Sequence, residues 1–248
     1  MKVLSLFDGI SCGMVALERA GIPVERYVAY EIEPNAIKIS KKNYPQIERC
    51  GDVTTADFTQ YQGFDLLIGG SPCQSLSIVQ SKTRQHLNGK SKLFFEFVRA
   101  LEEVKPRYYW TNIPLESVTT PECPYVLEDV MISADQVPSK YWYSFPVVNI
   151  DMEKQVCGTL VHSNQEMHKR IFNPKFKCHT LTCVSGGNQQ KKVMQDGRPR
   201  KLMPIEYERL QTLPDNYTEG VSDGARYTAV GNGWTIDAIA SIFRGITA

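Results

Sequence analysis

A doubly wound α/β fold on a mostly parallel sheet is predicted by three observations. Short apolar runs alternate with segments of helical spacing through the first hundred residues. The first run, Val3 to Phe7, empties into a glycine-bearing turn, Asp8-Gly9-Ile10-Ser11-Cys12-Gly13. A later run, Phe64 to Ile68, is apolar almost throughout, as a strand covered on both faces must be.

The elements follow in order. After the first turn, Met14, Val15, Leu17 and Ala20 keep helical spacing. Tyr27 to Tyr30 reads as a second strand ending at Glu31, and Pro34 to Asn43 as its helix. The Phe64–Ile68 strand opens into Gly69-Gly70-Ser71-Pro72-Cys73, and Leu93 to Val104 is again helical, completing βαβαβ. Beyond Pro106 the pattern loosens: Tyr108 to Trp110 suits a strand, Tyr125 to Met131 a short helix or turn, and Tyr141 to Ile150 a strand. Residues 151–201 alternate from Gln155 to Val161 and otherwise look irregular and β-leaning, with little core of their own. Pro204 to Leu210 reads as a helix with Pro in its first turn, and Thr235 to Phe243 as a closing helix after Gly231-Asn232-Gly233. The expected division is 1–150, 151–201 and a return at 202–248.

The 248 residues are 42% apolar and 22% charged, which excludes a disordered or collagenous chain. The overall charge is +1, so no global field marks a polyanion partner. Locally it is different. Residues 151–201 carry ten basic and four acidic groups between two net acidic segments. A segregated basic block is the footprint of phosphate contact, although a solvated loop region looks similar. Seven cysteines and a start without a signal-peptide pattern point to a reducing, cytoplasmic compartment, and no run approaches a membrane span. Cys157, Cys178, His179 and Cys183 fit no familiar zinc spacing, so no metal is expected.

The glycine turn is not a GxGxxG fingerprint and alone is weak evidence. Its weight grows with Glu31, an acid ending the second strand where a ribose diol would sit, and with Asp52 after Gly51, an acceptor for an adenine amino group. Acids after successive strands favour an adenosine-type cofactor. Cys73 lies just past a buried strand, where doubly wound folds place ligand chemistry. A buried Cys is usually a small hydrophobe, but here the loop position gives it access for nucleophilic attack.

The ordered motifs FDGISCG (7–13), YEIE (30–33), GDV (51–53), GGSPCQSLS (69–77), KSKLFFEF (90–97), RKLMPIEYERLQTLPDNYT (200–218) and AVGNGWTIDAI (229–239) span nearly the whole chain. In these the chain resembles the DNA (cytosine-5) methyltransferases, and among them the small bacterial and phage enzymes. The resemblance implies a fold of the S-adenosylmethionine-dependent methyltransferase type with a small irregular target-recognition region. It implies a cofactor site for S-adenosylmethionine, released as S-adenosylhomocysteine, at Phe7, Asp8, Gly9, Gly13, Glu31, Ile32, Asp52, Val53, Pro72, Asn232 and Trp234. Cys73 matches the nucleophile that adds to C6 of a flipped cytosine in double-stranded DNA. The Ser75–Lys92 stretch resembles the loop that closes on DNA, with Gln74, Ser75 and Arg84 as contacts. The basic block sits where the family reads its target, with Arg170, Lys175, Lys177, Lys191, Lys192 and Arg198 as candidates. A bacterial or phage-infected cell is the implied setting, and a cognate restriction endonuclease a possible partner.

The pattern breaks after the nucleophile loop. The family's Glu-Asn-Val strand and the following helix have no evident counterpart, and residues 107–112 (RYYWTN) resemble the end of a later motif. On that reading Arg107 contacts the cytosine O2. On the other, residues 105–113 are the earlier strand, with Thr111 in the place of the family's glutamate. Either way the omission should open a seam in the sheet unless these residues slide into the vacant slot. An inactive DNA- or cofactor-binding relative, and a subunit completed by another chain, stand as alternatives.

Overall fold

Val3, Leu4 and Leu6 have no or almost no solvent exposure, as expected of a strand enclosed on both faces. They form β1 (Lys2–Leu6), the centre of a parallel sheet in a computed structural model that describes residues 1–72, 92–109, 125–161, 166–184 and 188–246. The chain divides into two compact units, Met1–Pro121 with Ile236–Ala248, and Glu122–Thr235. The second therefore begins well before the expected 151 and runs past 201.

In the first unit β1 is flanked by β2 (Arg26–Tyr30) and β4 (Leu66–Gly69), with β3 (Glu48–Arg49) outside β2 and β5 (Tyr108–Tyr109) outside β4. All pairings are parallel, in the order β3-β2-β1-β4-β5. The order reverses between β1 and β4, which creates a switch-point crevice at their carboxyl ends. Gly69 is needed there, because a Cβ would run into the carbonyl oxygen of Leu6.

Helix α1 (Cys12–Arg19) buries Met14, Val15, Ala16 and Leu17, and α8 (Ile236–Phe243) packs along it, with Arg19 donating to Asp237 at 2.8 Å. Helix α2 (Pro34–Asn43) starts on Glu33, whose carboxylate accepts from the Ala36 amide at 2.6 Å, with Pro34 at its first position. Helix α3 (Phe94–Val104) lays Ala100 and Val104 on a core of Leu4, Leu6, Tyr30, Phe58 and Leu67. Its Arg99 donates to the carbonyls of Val53 and Ala56 and stacks 4.4 Å from the Phe58 ring.

The seam expected after β4 does not open, because β5 fills the slot: Leu66 pairs with Tyr108 and Leu67 with Tyr109. In its described residues, Tyr108 and Tyr109, the stretch thus pairs as the earlier strand would.

The second unit holds a five-stranded sheet in the order β10-β9-β8-β7-β6, from β6 (Val147–Val148), β7 (Val156–Leu160), β8 (Arg170–Phe172), β9 (Lys192–Gln195) and β10 (Arg198–Lys201). Only β8 and β9 pair in parallel. The sheet has its own core of Tyr143, Cys157, Leu160, Ile171 and Met194, so the expected lack of a core is corrected. β9 and β10 are joined by Asp196-Gly197, both at positive φ, the two-residue turn whose twist suits a hairpin. The expected Tyr141–Ile150 strand shrinks to Val147–Val148, since Ser139–Tyr141 is a helical turn. Two short helices, α4 (Leu127–Val130) and α5 (Glu166–Lys169), lie outside the sheet.

Helix α6 (Pro204–Leu210) begins where expected. Its Glu206 accepts from the Met203 and Ile132 amides and from both ends of the Arg200 guanidinium, a fully buried pair. Helix α7 (Asp223–Asn232), capped by Ser222, takes in Gly231 and Asn232. Gly231 sits there because a Cβ would lie 2.6 Å from the Thr182 carbonyl oxygen. No helix among the described residues is long and apolar enough to cross a membrane.

Candidate functional site

The carboxyl edge of the parallel sheet carries four loops in spatial order, those after β3, β2, β1 and β4. The loop after β1 is the most constrained. Phe7, Gly9 and Ser11 all take positive φ, which drives the chain through a tight turn into α1. The Asp8 carboxylate faces inward and is its hub: Ser5 and Tyr27 hydroxyls donate to Oδ1 at 2.7 and 2.8 Å, and Ser11 to Oδ2 at 2.6 Å. Burial holds this carboxyl above the usual carboxylate range, and the three hydroxyls oppose that shift. Sequence reasoning missed Ser5, Ser11 and Tyr27. The Ser5-x-x-Asp8-x-x-Ser11 spacing was the available signal.

Glu31 ties the next loop to this one. Its Oε2 accepts from the Gly9 amide at 2.8 Å, while Oε1 accepts from the amides of Ile32 and Glu33 at 2.8 and 2.9 Å. A carboxylate has about four acceptor positions. Three are used, which fixes the group in orientation and leaves Oε2 able to accept once more. Ile32 beside it is 65% exposed, a large apolar side chain held at the crevice rim. Asp52 is exposed and caps the next turn, Oδ1 accepting from the Thr54 amide at 2.9 Å. Val53 is turned into the core and Gly13 is buried in the first turn of α1. Beside Gly9 a Cβ would meet nothing within 4 Å, so there is open space against the backbone.

These residues fit an adenosyl sulfonium. Ile32 offers an apolar face, Glu31 an oriented acceptor for a ribose hydroxyl, Asp52 an acceptor for an amino group, and these two acids a negative setting for a cation. Pro72, half-buried, ends the described part of the β4 loop. Cys73, Gln74, Ser75 and Arg84 lie outside the described residues.

Arg107 is a correction. It precedes β5 at the amino end, and Tyr108 pairs with Leu66 at the start of β4, so Arg107 lies at the opposite edge of the sheet from the crevice. Its guanidinium sits 5.1 Å from the Tyr108 ring. It belongs to the strand that fills the slot and is not placed to reach a base beside Pro72.

In the second unit Asn232 is exposed at the end of α7 and Trp234 is half-buried two residues on. Arg170, Lys175, Lys177 and Arg198 are exposed, as phosphate contact requires. Lys191 is half-buried, and burial lowers the pKa of its ammonium. Lys192 is the second correction. It is 1% exposed and donates to the carbonyls of Asn188 and Gln190 at 2.6 and 3.0 Å, so it holds protein backbone and not phosphate.

The family of C-5 cytosine-specific DNA methylases matches residues 1–111 and 129–248. The chain belongs to that family. Among individual methylases it is 36% identical to the orphan methyltransferase M.Rho11sI of Bacillus phage rho11s over 111 residues, 44% of this chain and 22% of that protein. It is 38% identical to the Type II methyltransferase M.Eco47II of Escherichia coli over 107 residues, 42% of this chain and 25% of that one. The matched stretch thus spans about a quarter of the curated methylases' length. Among solved structures, a putative DNA modification methyltransferase encoded within an E. coli prophage superposes with a TM-score of 0.68 at 17% identity, covering 99% of this chain and 98% of that one. The S. pombe Dnmt2 methyltransferase gives 0.68 at 15%, covering 98% and 97%. At such identities the likeness shows the methyltransferase fold alone. The unmatched gap, 112–128, falls where the family's Glu-Asn-Val pattern had already failed.

Proposed function

We propose that this chain transfers a methyl group from S-adenosylmethionine to C5 of a cytosine flipped out of double-stranded DNA, with Cys73 as the nucleophile. The observation that carries this reading is the crevice between β1 and β4, where an oriented Glu31 and an exposed Ile32 stand at the same sheet edge as Pro72, the residue bonded to Cys73. Glu31 would hold the ribose, Ile32 would cover the adenine face and Asp52 would accept from its amino group. The Gly9 backbone completes the first unit's share of the site. When bound, S-adenosylmethionine supplies an electrophilic methyl group.

The chain's own part is to make the carbon reactive. C5 of an intact pyrimidine is a poor nucleophile. Addition of the Cys73 thiolate to C6 would place an electron pair on C5, able to take the methyl group that the bound cofactor would supply, with its sulfonium left as a neutral thioether. Loss of the C5 proton to a base then returns electrons to the ring and expels the thiolate. A stacked base cannot be approached this way, so extrusion is required, with Gln74, Ser75 and Arg84 contacting the DNA. Exposed Arg170, Lys175, Lys177 and Arg198 supply phosphate contacts.

Methyl transfer from tritiated cofactor to mixed-sequence duplex, with Cys73→Ala as control, tests the reading. Counts above that control support it, and counts equal to it overturn it. The missing glutamate favours a second reading. General acid assistance is typically worth ~10²–10⁴ in rate, so a chain with Thr111 in that place is slow on its own. It is then a DNA- or cofactor-binding relative, or one subunit of an enzyme completed by another chain. Saturable cofactor binding without transfer supports this alternative.

A further inference from the structure

Ser11 and Ser40 are buried, at 0% and 2% exposure, and neither hydroxyl does the work usual for its position. Ser11 stands at the N-cap of α1, where a serine oxygen ordinarily accepts from an amide of the first turn, and it makes no capping bond. Ser40 lies on the buried face of α2 with Ala36 and Ile39, where an unused hydroxyl is costly. Both hydroxyls are engaged with each other and with two charged groups. Ser11 donates to Asp8 Oδ2 at 2.6 Å, the two serine oxygens stand 2.6 Å apart, and Arg49 on β3 donates through Nη2 to Ser40 Oγ at 2.8 Å. The same guanidinium donates to the carbonyls of Tyr44 and Ile47 at 2.7 and 2.8 Å.

Counting protons gives this relay one direction. A serine hydroxyl carries a single proton, and a guanidinium only donates. Ser11 gives its proton to Asp8, so Ser40 must give its own to Ser11 while accepting from Arg49. Hydrogen bonds thus run from the β3 cation through α2 to the carboxylate in the turn after β1, each polarising the next. Oδ1 of that carboxylate accepts from Ser5 and Tyr27, so Asp8 holds its turn purely as an acceptor. A protonated Asp8 requires a partner to reverse. Ser11 cannot reverse without turning the Ser40 proton toward the guanidinium, so the cation two hydroxyls away keeps the carboxyl ionised. Burial and the charge of Glu31 pull the other way.

We propose that Ser40 and Arg49 are positioning residues for the cofactor, acting through Ser11 and Asp8 on the turn that runs from Phe7 to Ser11. The assignment rests on the crevice reading above and deepens it. Phe7, Gly9 and Ser11 all hold positive φ in that turn, a conformation costly for Phe and Ser that persists only where the surroundings fix it. The Gly9 amide inside the turn bonds Glu31. With Asp8 protonated the turn loosens, the hold on Glu31 goes with it, and affinity for S-adenosylmethionine falls. The titratable groups around Asp8 are Tyr27 on β2, Glu31 beyond it and Cys12 on α1, with Arg49 of β3 behind the two serines.

The test is calorimetric titration of the full chain with S-adenosylmethionine across the acid and neutral range, with a thermal melt at each pH. Ser40→Ala cuts the relay and Arg49→Met removes its cation. Wild-type affinity should fall as acid protonates Asp8, and in each variant that fall should come at higher pH. At the pH where wild-type affinity has dropped by half, each variant should bind roughly 3- to 10-fold more weakly, the net worth of one hydrogen bond read as Kd. The double variant should match the single ones, because one relay is cut only once. Glu31 titrates alike in all of these proteins, so the displacement between profiles isolates the relay. A role in packing alone would lower the melting temperature, or raise Kd by one factor at every pH, and leave the profile where it is. An undisplaced profile in folded Ser40→Ala overturns the assignment, whatever Arg49→Met does. Binding that Glu31→Gln weakens and the relay variants leave unchanged overturns the relay and keeps the crevice reading. No binding by the wild type at any pH overturns both.

Discussion

Replacing Glu31 by Gln leaves the side-chain volume alone and removes one charge. In the wild type Oε1 serves the amides of Ile32 and Glu33, and Oε2 serves that of Gly9 at 2.8 Å. The single carbonyl oxygen of Gln can serve the first pair only with its NH₂ turned toward the Gly9 N–H, donor against donor. The variant therefore loses a charge-assisted bond to the turn and the negative charge offered to a ribose hydroxyl. A hydrogen bond to a charged group is worth about 1.5–3 kcal/mol. The Kd for S-adenosylmethionine should therefore rise roughly 10- to 150-fold. Ile32 and Glu33 are exposed, so water replaces what their amides lose and folding is little affected. Isothermal titration calorimetry with a parallel thermal melt measures both quantities. A folded variant whose Kd stays within twofold of wild type refutes the crevice assignment.

Other outcomes follow from the packing. Glu206→Gln strands the Arg200 guanidinium, both groups being 0% exposed, and should cost about 3–5 kcal/mol in urea unfolding, with the Arg200→Met, Glu206→Leu double variant recovering much of it. Equal midpoints for wild type and Glu206→Gln would contradict the burial. Gly69→Ala pushes a methyl group against the Leu6 carbonyl and should destabilise by about 1–3 kcal/mol; an unchanged melting temperature would show that β4 yields there. Lys192 titrates at about 8 in the folded chain. An unfolded lysine titrates near ~10.4, so between these values the unfolded state holds more protons and stability rises with pH, by at most about 3 kcal/mol. Lys192→Met should lack that rise, and identical slopes for the two proteins would exclude the buried ammonium as its source.

Much of the first unit was legible in the sequence because its strands are buried on both faces and its turns are written in glycine. Pro34–Asn43 could be read residue by residue, and the strands Val3–Phe7 and Tyr27–Tyr30 to within one residue at each end. The slot taken by β5 stayed open between two readings, because two residues of pairing carry no periodicity, and one of those readings misplaced Arg107. The second unit was harder. Its β8, β9 and β10 are only three or four residues long, and Lys192 and Arg200 are charged residues inside, a reversal that composition cannot reveal. The acids of the crevice were legible as acids after strands. That Asp8 spends its carboxylate on Ser5, Ser11 and Tyr27 was not, since it needs the turn's three positive φ angles to bring them together.

The mass of the chain after incubation with S-adenosylmethionine and a duplex containing 5-fluorocytosine at its preferred site tests the chemistry most directly. Fluorine at C5 leaves no proton to lose, so the thiolate cannot be expelled and the adduct persists. The expected result is a species equal in mass to the chain plus the methylated duplex, absent without cofactor and absent in Cys73→Ala. A chain that methylates ordinary duplex yet stays unmodified by the fluorinated one would contradict covalent attack by Cys73.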